Sequence, residues 1–228
     1  MRIYFADENV IAGITLKDAT RKEANNMALH ACRDKEAVIA NRKHLAALLD
    51  VRLDDFVCAE QTHRDQFYHV TAQDRGRGAY TTADAIRDTD ALFTTEQNIL
   101  LGVFTADCVP VFFYEPTAGV IGVIHSGWRG TVQEITPKTL TAVSEQFTVK
   151  PDNFYVQIGL ALSQKRFEVD RDVYEAFLNL GYVERYIAYH AATQKFHIDQ
   201  QLVIQQQCVN VGIPKEQIKI DRTCTYDS

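Results

Sequence analysis

The sequence predicts an α+β fold: a single domain of mixed central β-sheets flanked by helices, a layered α/β/β/α-type sandwich. Three observations predict it. Short runs rich in β-branched and aromatic residues crowd the middle of the chain. Stretches with apolar residues at helical spacing lie before and after them. No low-complexity linker and no fixed-period repeat divides residues 1–228. With 46% hydrophobic and 24% charged residues, the 228-residue chain has ordinary globular composition and can bury a large core.

In chain order, "KEAVIANRKHLAALLD" (35–50) places Val38, Ile39, Leu45, Leu48 and Leu49 on one helical stripe. Four strands follow, "ALFTT", "LLGVFTA", "PVFFYEP" and "GVIGVIHS", the last two joined as a hairpin across "EPTAG". A helix over 131–147 begins at Thr131, with Glu134 three residues on as in a capping box, and Pro137 is placed to kink it. The strand "FYVQIG", a helix in "DRDVYEAFLNLGY", the strand "FHID" and a helix in "DQQLVIQQQCVNVG", closed by Gly212, complete the reading.

Charge and cysteine content narrow the function. A formal charge of −6 with scattered basic residues shows no nucleic-acid footprint and suits a small, neutral or anionic substrate. The N-terminus carries charges throughout and lacks a signal peptide's apolar core, and the apolar segment from Ile99 is cut by Asp107, so no membrane association is expected. Five cysteines at unrelated spacings point to reduced thiols and a cytoplasmic protein.

The chemistry concentrates in "GVFTADCVPVFFYEPTAGVIGVIHSGWRG" (102–130). Asp107 and Cys108 interrupt an apolar run, and buried polar groups need partners. Pairing the hairpin about the centre of "EPTAG" sets His125 opposite roughly position 110, within a residue or two of Cys108. The turn "SGWRG" exposes Arg129 beside His125. His63, in the polar turn "EQTHRD" with Gln61 as a neighbouring substrate contact, supplies a third ligand. Two histidines and one cysteine suit zinc. Each residue also has a plain structural reading: Cys108 as a small core residue, Asp107 as a loop anchor, Trp128 as core and His30 as a partly buried histidine, while "DRGRG" with Arg75 and Arg77 reads as a flexible surface loop near the site mouth or simply as a solvated turn.

These motifs give the chain a strong resemblance to the laccase-domain proteins, also called the multicopper polyphenol oxidase family. It rests on "NMALHACRDKEAVIANR", "EQTHRD", "DRGRG", "DALFTTEQNILLGVFTADCVPVFFYEPTAGVIGVIHSGWRGT" and, more weakly, "IGLALSQKRFEV", in the family's order along nearly the whole chain. The resemblance implies one zinc held by His63, Cys108 and His125, in agreement with the hairpin argument. It also implies phosphorolysis of adenosine, inosine and methylthioadenosine together with deamination of adenosine. Asn26 matches a family asparagine and is a candidate substrate contact. Three features depart from the family pattern. "TLKDATRKEA" replaces an arginine-and-two-glycine turn, the proline and cysteine usual after I-G are absent, and members typically continue beyond "CTYDS", which reads as a shortened C-terminus.

Chemically, a three-ligand zinc keeps one position open and acidifies water there. Deamination then needs a carboxylate to shuttle the proton, which is the role open to Asp107. Phosphorolysis needs a phosphate cradle, which Arg129 and the "SGWRG" amides supply. Three rival classes remain. A single-copper polyphenol oxidase would share the same ligands, but seven histidines without one His-x-His motif speak against a multicopper cluster. A Cys108–His125 hydrolase is permitted by that pair alone. A non-catalytic nucleoside-binding protein is the third.

Overall fold

The computed structural model describes residues 1–6 and 10–227. Strands β1 (Arg2–Ala6) and β2 (Ile11–Ile14) pair antiparallel. Helix α1 (Lys35–Leu48) follows, its first turn capped by the Asp34 carboxylate, which accepts from the Ala37 amide. The middle of the chain forms β3 (Phe56–Cys58), β4 (Phe67–His69), β5 (Ala91–Thr94), β6 (Leu100–Gly102), β7 (Val109–Glu115) and β8 (Val120–Ser126). Then come α2 (Trp128–Val132), α3 (Ile135–Phe147), β9 (Tyr155–Ile158), β10 (Glu168–Val169), α4 (Arg171–Leu178), β11 (Ile187–His190), β12 (Lys195–Ile198), α5 (Gln200–Val211) and β13 (Ile218–Ile220). No helix among the described residues is long and apolar enough to cross a membrane.

The largest sheet has six strands in the order β13-β9-β7-β8-β5-β4. It is mixed: the outer pairs β13–β9 and β4–β5 are parallel and the inner pairs antiparallel. Alternation along each strand divides its side chains between two cores. Val111 and Phe113 of β7 and Ile124 of β8 face α3 and α5, meeting Leu140, Val143 and Ile204. Leu92, Phe112 and Val123 point the other way, onto Val57 and Leu101 of the small parallel sheet β3–β6. The far side of that small sheet is covered by α1, through Leu45 and Ala46 on Phe56 and Leu100. The order of layers is therefore helix, sheet, sheet, helix, as the sequence predicts. Each fully buried Phe, Leu or Ile contributes about 1.5–3 kcal/mol to holding the layers together.

Two elements depart from expectation. Only Leu100–Gly102 of "LLGVFTA" is strand. The helix expected over 131–147 is two helices, because Glu134 takes a left-handed conformation (φ 61°) between α2 and α3. The capping box fails because the Thr131 hydroxyl is already committed: it donates to the Gly127 carbonyl and lies 2.8 Å from the Ser126 hydroxyl. Pro137 introduces no kink, since it is the third residue of α3 and occupies a first-turn position where an N–H has no partner within the helix.

Helix α5 explains its own odd composition. Gln200, Gln201 and Gln207 are buried although polar, and each donates to main-chain carbonyls. Gln200 reaches Ser126 O at 2.8 Å, Gln207 reaches Thr131 O at 2.8 Å, and Gln201 reaches Gly159 O at 2.7 Å. The Gln200 and Gln207 bonds satisfy carbonyls where β8 passes into α2, which fixes the backbone that carries His125 and Arg129, and the Gln201 bond does the same at the end of β9.

Candidate metal centre

The β7–β8 hairpin pairs Pro110 directly with His125 and Val109 with Ser126, so Cys108 stands just beyond the register, beside His125. His63 arrives from the loop between β3 and β4. The ligand atoms of His63, Cys108 and His125 all lie within 4.8 Å of one another. The two imidazole rings meet edge to face, with centroids 4.7 Å apart. His125 is buried, Cys108 half-buried and His63 exposed, so the cluster has a solvent side.

The residue that organises this cluster is Asp90, which the sequence reading did not single out. It is fully buried, and its carboxylate lies 2.7 Å from His125 Nδ1. It also accepts the consecutive amides of Thr62 (3.1 Å), His63 (3.1 Å) and Arg64 (2.9 Å). Gathering three successive N–H groups onto one anion holds His63 in its left-handed conformation (φ 60°), which a non-glycine residue seldom adopts unaided. The same carboxylate fixes the His125 tautomer. With Nδ1–H given to Asp90, Nε2 keeps its lone pair for a ligand facing Cys108 and His63. The signal in the sequence was an acidic residue immediately preceding "ALFT", every residue of which is buried.

Electrostatics follow from these contacts. Burial would raise the Asp90 carboxyl, but His125 and the amides outweigh it and hold its pKa below the usual value. Burial pulls His125 down, yet hydrogen bonds to Asp90 and Cys108 push it up to about 9 in the metal-free protein. Burial and the neighbouring His125 lower the His63 pKa, leaving that imidazole neutral and ready to donate a lone pair.

The donor set fits a zinc-class ion: two imidazoles and a thiol, with one tautomer fixed from behind. Gly127 lets the chain pass close to two of these side chains. A Cβ placed there would lie 3.0 Å from His63 Cδ2 and 3.2 Å from Cys108 Sγ.

The other predicted site residues are placed as follows. Arg129 is exposed in the first turn of α2, its guanidinium 4.4 Å over the Trp128 ring, while Trp128 is partly buried against the core beneath β12. Asp107 is exposed and accepts from the Thr225 hydroxyl at 2.8 Å. Gln61 gives both ends of its amide to Phe104, accepting from its N–H at 2.7 Å and donating to its carbonyl at 2.8 Å, which ties the loop before Cys108 to the loop of His63. The Asn26 side chain closes its own turn, accepting from Ala28 N and donating to Ala31 O, each at 2.8 Å. Asn26 also lines a largely apolar cavity of about 500 Å³ beneath β1 and β2, whose wall includes Phe104 and Thr105 and none of the three ligand side chains. His30 is exposed, its ring edge-on to Phe104 at 5.8 Å.

Arg75 and Arg77 do not form the flexible loop expected of "DRGRG". Arg75 binds Asp55 and the carbonyls of Gln97 and Asn98, and Arg77 binds Asp74 and the Asp84 carbonyl. All five cysteines are free, and burial pushes the Cys58 and Cys208 thiols up to about 11 and about 12, consistent with inert core residues.

Comparison with known proteins agrees with the fold and the motifs. Residues 17–228 match the family described as multi-copper polyphenol oxidoreductase laccase. A protein named purine nucleoside phosphorylase YlmD, from Bacillus subtilis strain 168, is 34% identical over 224 residues, covering 96% of this chain and 80% of that one. Adenosine deaminase RL5, from an unknown prokaryotic organism, is 32% identical, covering 88% of this chain and 76% of its own. The crystal structure of YlmD from Geobacillus stearothermophilus superposes with a TM-score of 0.85 at 32% identity, over 90% of this chain and 76% of that one. The chain belongs to the multi-copper polyphenol oxidoreductase laccase family.

Proposed function

We propose that this protein is a zinc-dependent enzyme of purine nucleoside metabolism. In this reading it cleaves adenosine, inosine and methylthioadenosine with phosphate, and deaminates adenosine. The observation that carries the proposal is the convergence of His63, Cys108 and His125, with His125 held in its ligand tautomer by Asp90. The names of the phosphorylase and deaminase relatives supply the substrate class. The free thiols suit a cytoplasmic location.

When bound, zinc supplies Lewis acidity and brings the pKa of water at its open position toward neutrality. The chain's own residues do the rest. Arg129, exposed and held over Trp128, receives the phosphate, with the "SGWRG" amides as further donors. Asp107, anchored by Thr225, accepts and returns the proton during deamination. Gln61 acts through Phe104 by keeping the two ligand loops in register, and Asn26 contacts the nucleoside from the cavity wall.

The test is product analysis of metal-quantified protein with adenosine, with and without phosphate, beside Cys108→Ala. Phosphate-dependent adenine or phosphate-independent inosine, absent in the variant, supports the reading and ranks the two reactions. Turnover that survives chelation and is abolished by thiol alkylation would transfer the chemistry to a Cys108–His125 nucleophile pair. Bound zinc without turnover would make the protein a nucleoside-binding domain.

A further inference from the structure

The small sheet β10–β12–β11 has one apolar and one polar face. Val169, Phe196 and Ile187 pack inward against α4 and the core around it. The opposite face sets Glu168 of β10 directly across from His197 of β12, and His190 of β11 lies one alternate position further along. The His190 and His197 ring centroids are 4.7 Å apart.

His197 is the informative residue. Its Nδ1 lies 3.1 Å from the Gln164 carbonyl, and a carbonyl can only accept, so Nδ1 carries the proton. Nε2 is buried and has no hydrogen-bond partner; the closest ionic group is the Glu168 carboxylate, at 3.3 Å. The carboxylate is not aligned for a hydrogen bond to Nε2, so in the tautomer set by Gln164 the Nε2 lone pair is a buried acceptor with no donor among the described residues. A histidine whose far nitrogen is bonded to a main-chain carbonyl is oriented as metal-binding histidines are.

We propose that His197, His190 and Glu168 form a second metal site, for a divalent ion of the zinc, nickel or copper(II) class. His197, 8% exposed, is the fixed anchor. His190 and Glu168 are exposed; the three donor atoms do not converge in the metal-free structure, so the two exposed side chains rotate onto an ion arriving from solvent. The one lysine on this face, Lys195, is engaged by Asp170, so its charge does not oppose the ion. Imidazole and carboxylate donors without a thiolate select borderline divalent ions over copper(I), in contrast to the cysteine-bearing centre. Such an ion would tie all three strands of the sheet together.

The experiment is cobalt(II) titration of tag-free, chelator-stripped full-length protein, read by bound metal per chain and by absorbance. Wild-type protein is expected to bind two ions. Cys108→Ala is expected to retain one, without a thiolate-to-cobalt charge-transfer band, and Cys108→Ala/His190→Ala to retain none. Should Cys108→Ala fail to fold, His190→Ala alone, at an exposed position, is expected to reduce the wild-type count from two to one. A Cys108→Ala protein that binds no cobalt, or binds it equally with His190→Ala, overturns the proposal. One ion in wild type that persists in Cys108→Ala and disappears with His190→Ala would support this site while removing the metal from the proposed enzyme centre.

Discussion

His125 and His197 begin alike and end differently. Each has Nδ1 fixed by an acceptor, the Asp90 carboxylate for His125 and the Gln164 carbonyl for His197. At His125 the anion stands behind the ring, fully buried and already collecting three backbone amides, so its charge is compensated before any ion arrives. At His197 the carboxylate stands in front, exposed, where it would itself be a ligand. The position of one carboxylate thus separates a preorganised centre from an adaptable one. The first spends its anion on geometry and relies on a thiol for its third bond. The second keeps its anion for the ion and accepts looser geometry. The expected consequence is that an ion at the His63 centre outlasts one at His190–His197–Glu168 during dialysis against a weak chelator.

The largest break in this comparison is Asp90→Ala. It orphans His125 Nδ1 and three amides in a buried setting, with an expected loss of about 3–5 kcal/mol of stability, together with the metal; thermal melts and metal content measure both. Cys108→Ala separates the two effects. Metal and turnover at the first centre are lost, while stability stays within about 0.5 kcal/mol because the residue is only half-buried.

Gly127→Ala is milder. Its new methyl crowds His63 and Cys108 and should cost about 1 kcal/mol of stability while weakening metal retention, which calorimetric titration would resolve. A pH series sharpens the role of Asp90. His125, raised to about 9 when metal-free, stabilises the fold fully below its unfolded value of about 6.5, and that contribution is lost as pH rises through 9. Metal-free protein should therefore melt progressively lower between those limits. Zinc should flatten the curve, because the ion takes the proton's place. Thr225→Val is the smallest change, within about 0.5 kcal/mol, and it releases Asp107. If Asp107 moves the proton, the variant shifts a limb of the pH–rate profile of deamination and leaves phosphorolysis unchanged.

Much of this arrangement was legible in local pattern. The apolar alternation of "PVFFYEPTAGVIGVIHS" dictates a hairpin, and counting from its turn brings Cys108 to His125 without any coordinates. The helical stripe at 35–50 needs only periodicity and an Asp34 cap, and α1 covers 35–48 of it. Where the reading failed, a distant partner had taken the group that local rules assigned elsewhere. Thr131 looked like a helix cap, but Gln200, 69 residues away, donates to its hydroxyl at 2.7 Å and the helix breaks at Glu134 instead. Arg75 of "DRGRG" looked mobile because its acceptors, Asp55 and the carbonyls of Gln97 and Asn98, lie some twenty residues away on either side.

The sequence by itself determined the layers and the hairpin register that brings Cys108 beside His125, because side-chain period and turn length act over a few residues. Only the tertiary structure decided how the His63, Cys108 and His125 side chains are held. Asp90 reaches His125 across 35 positions and bends the His63 loop from 27 positions away. Glu168, His190 and His197 meet only because three strands align. A buried hydrogen bond depends on which groups share a dry volume, and that is fixed when the layers close.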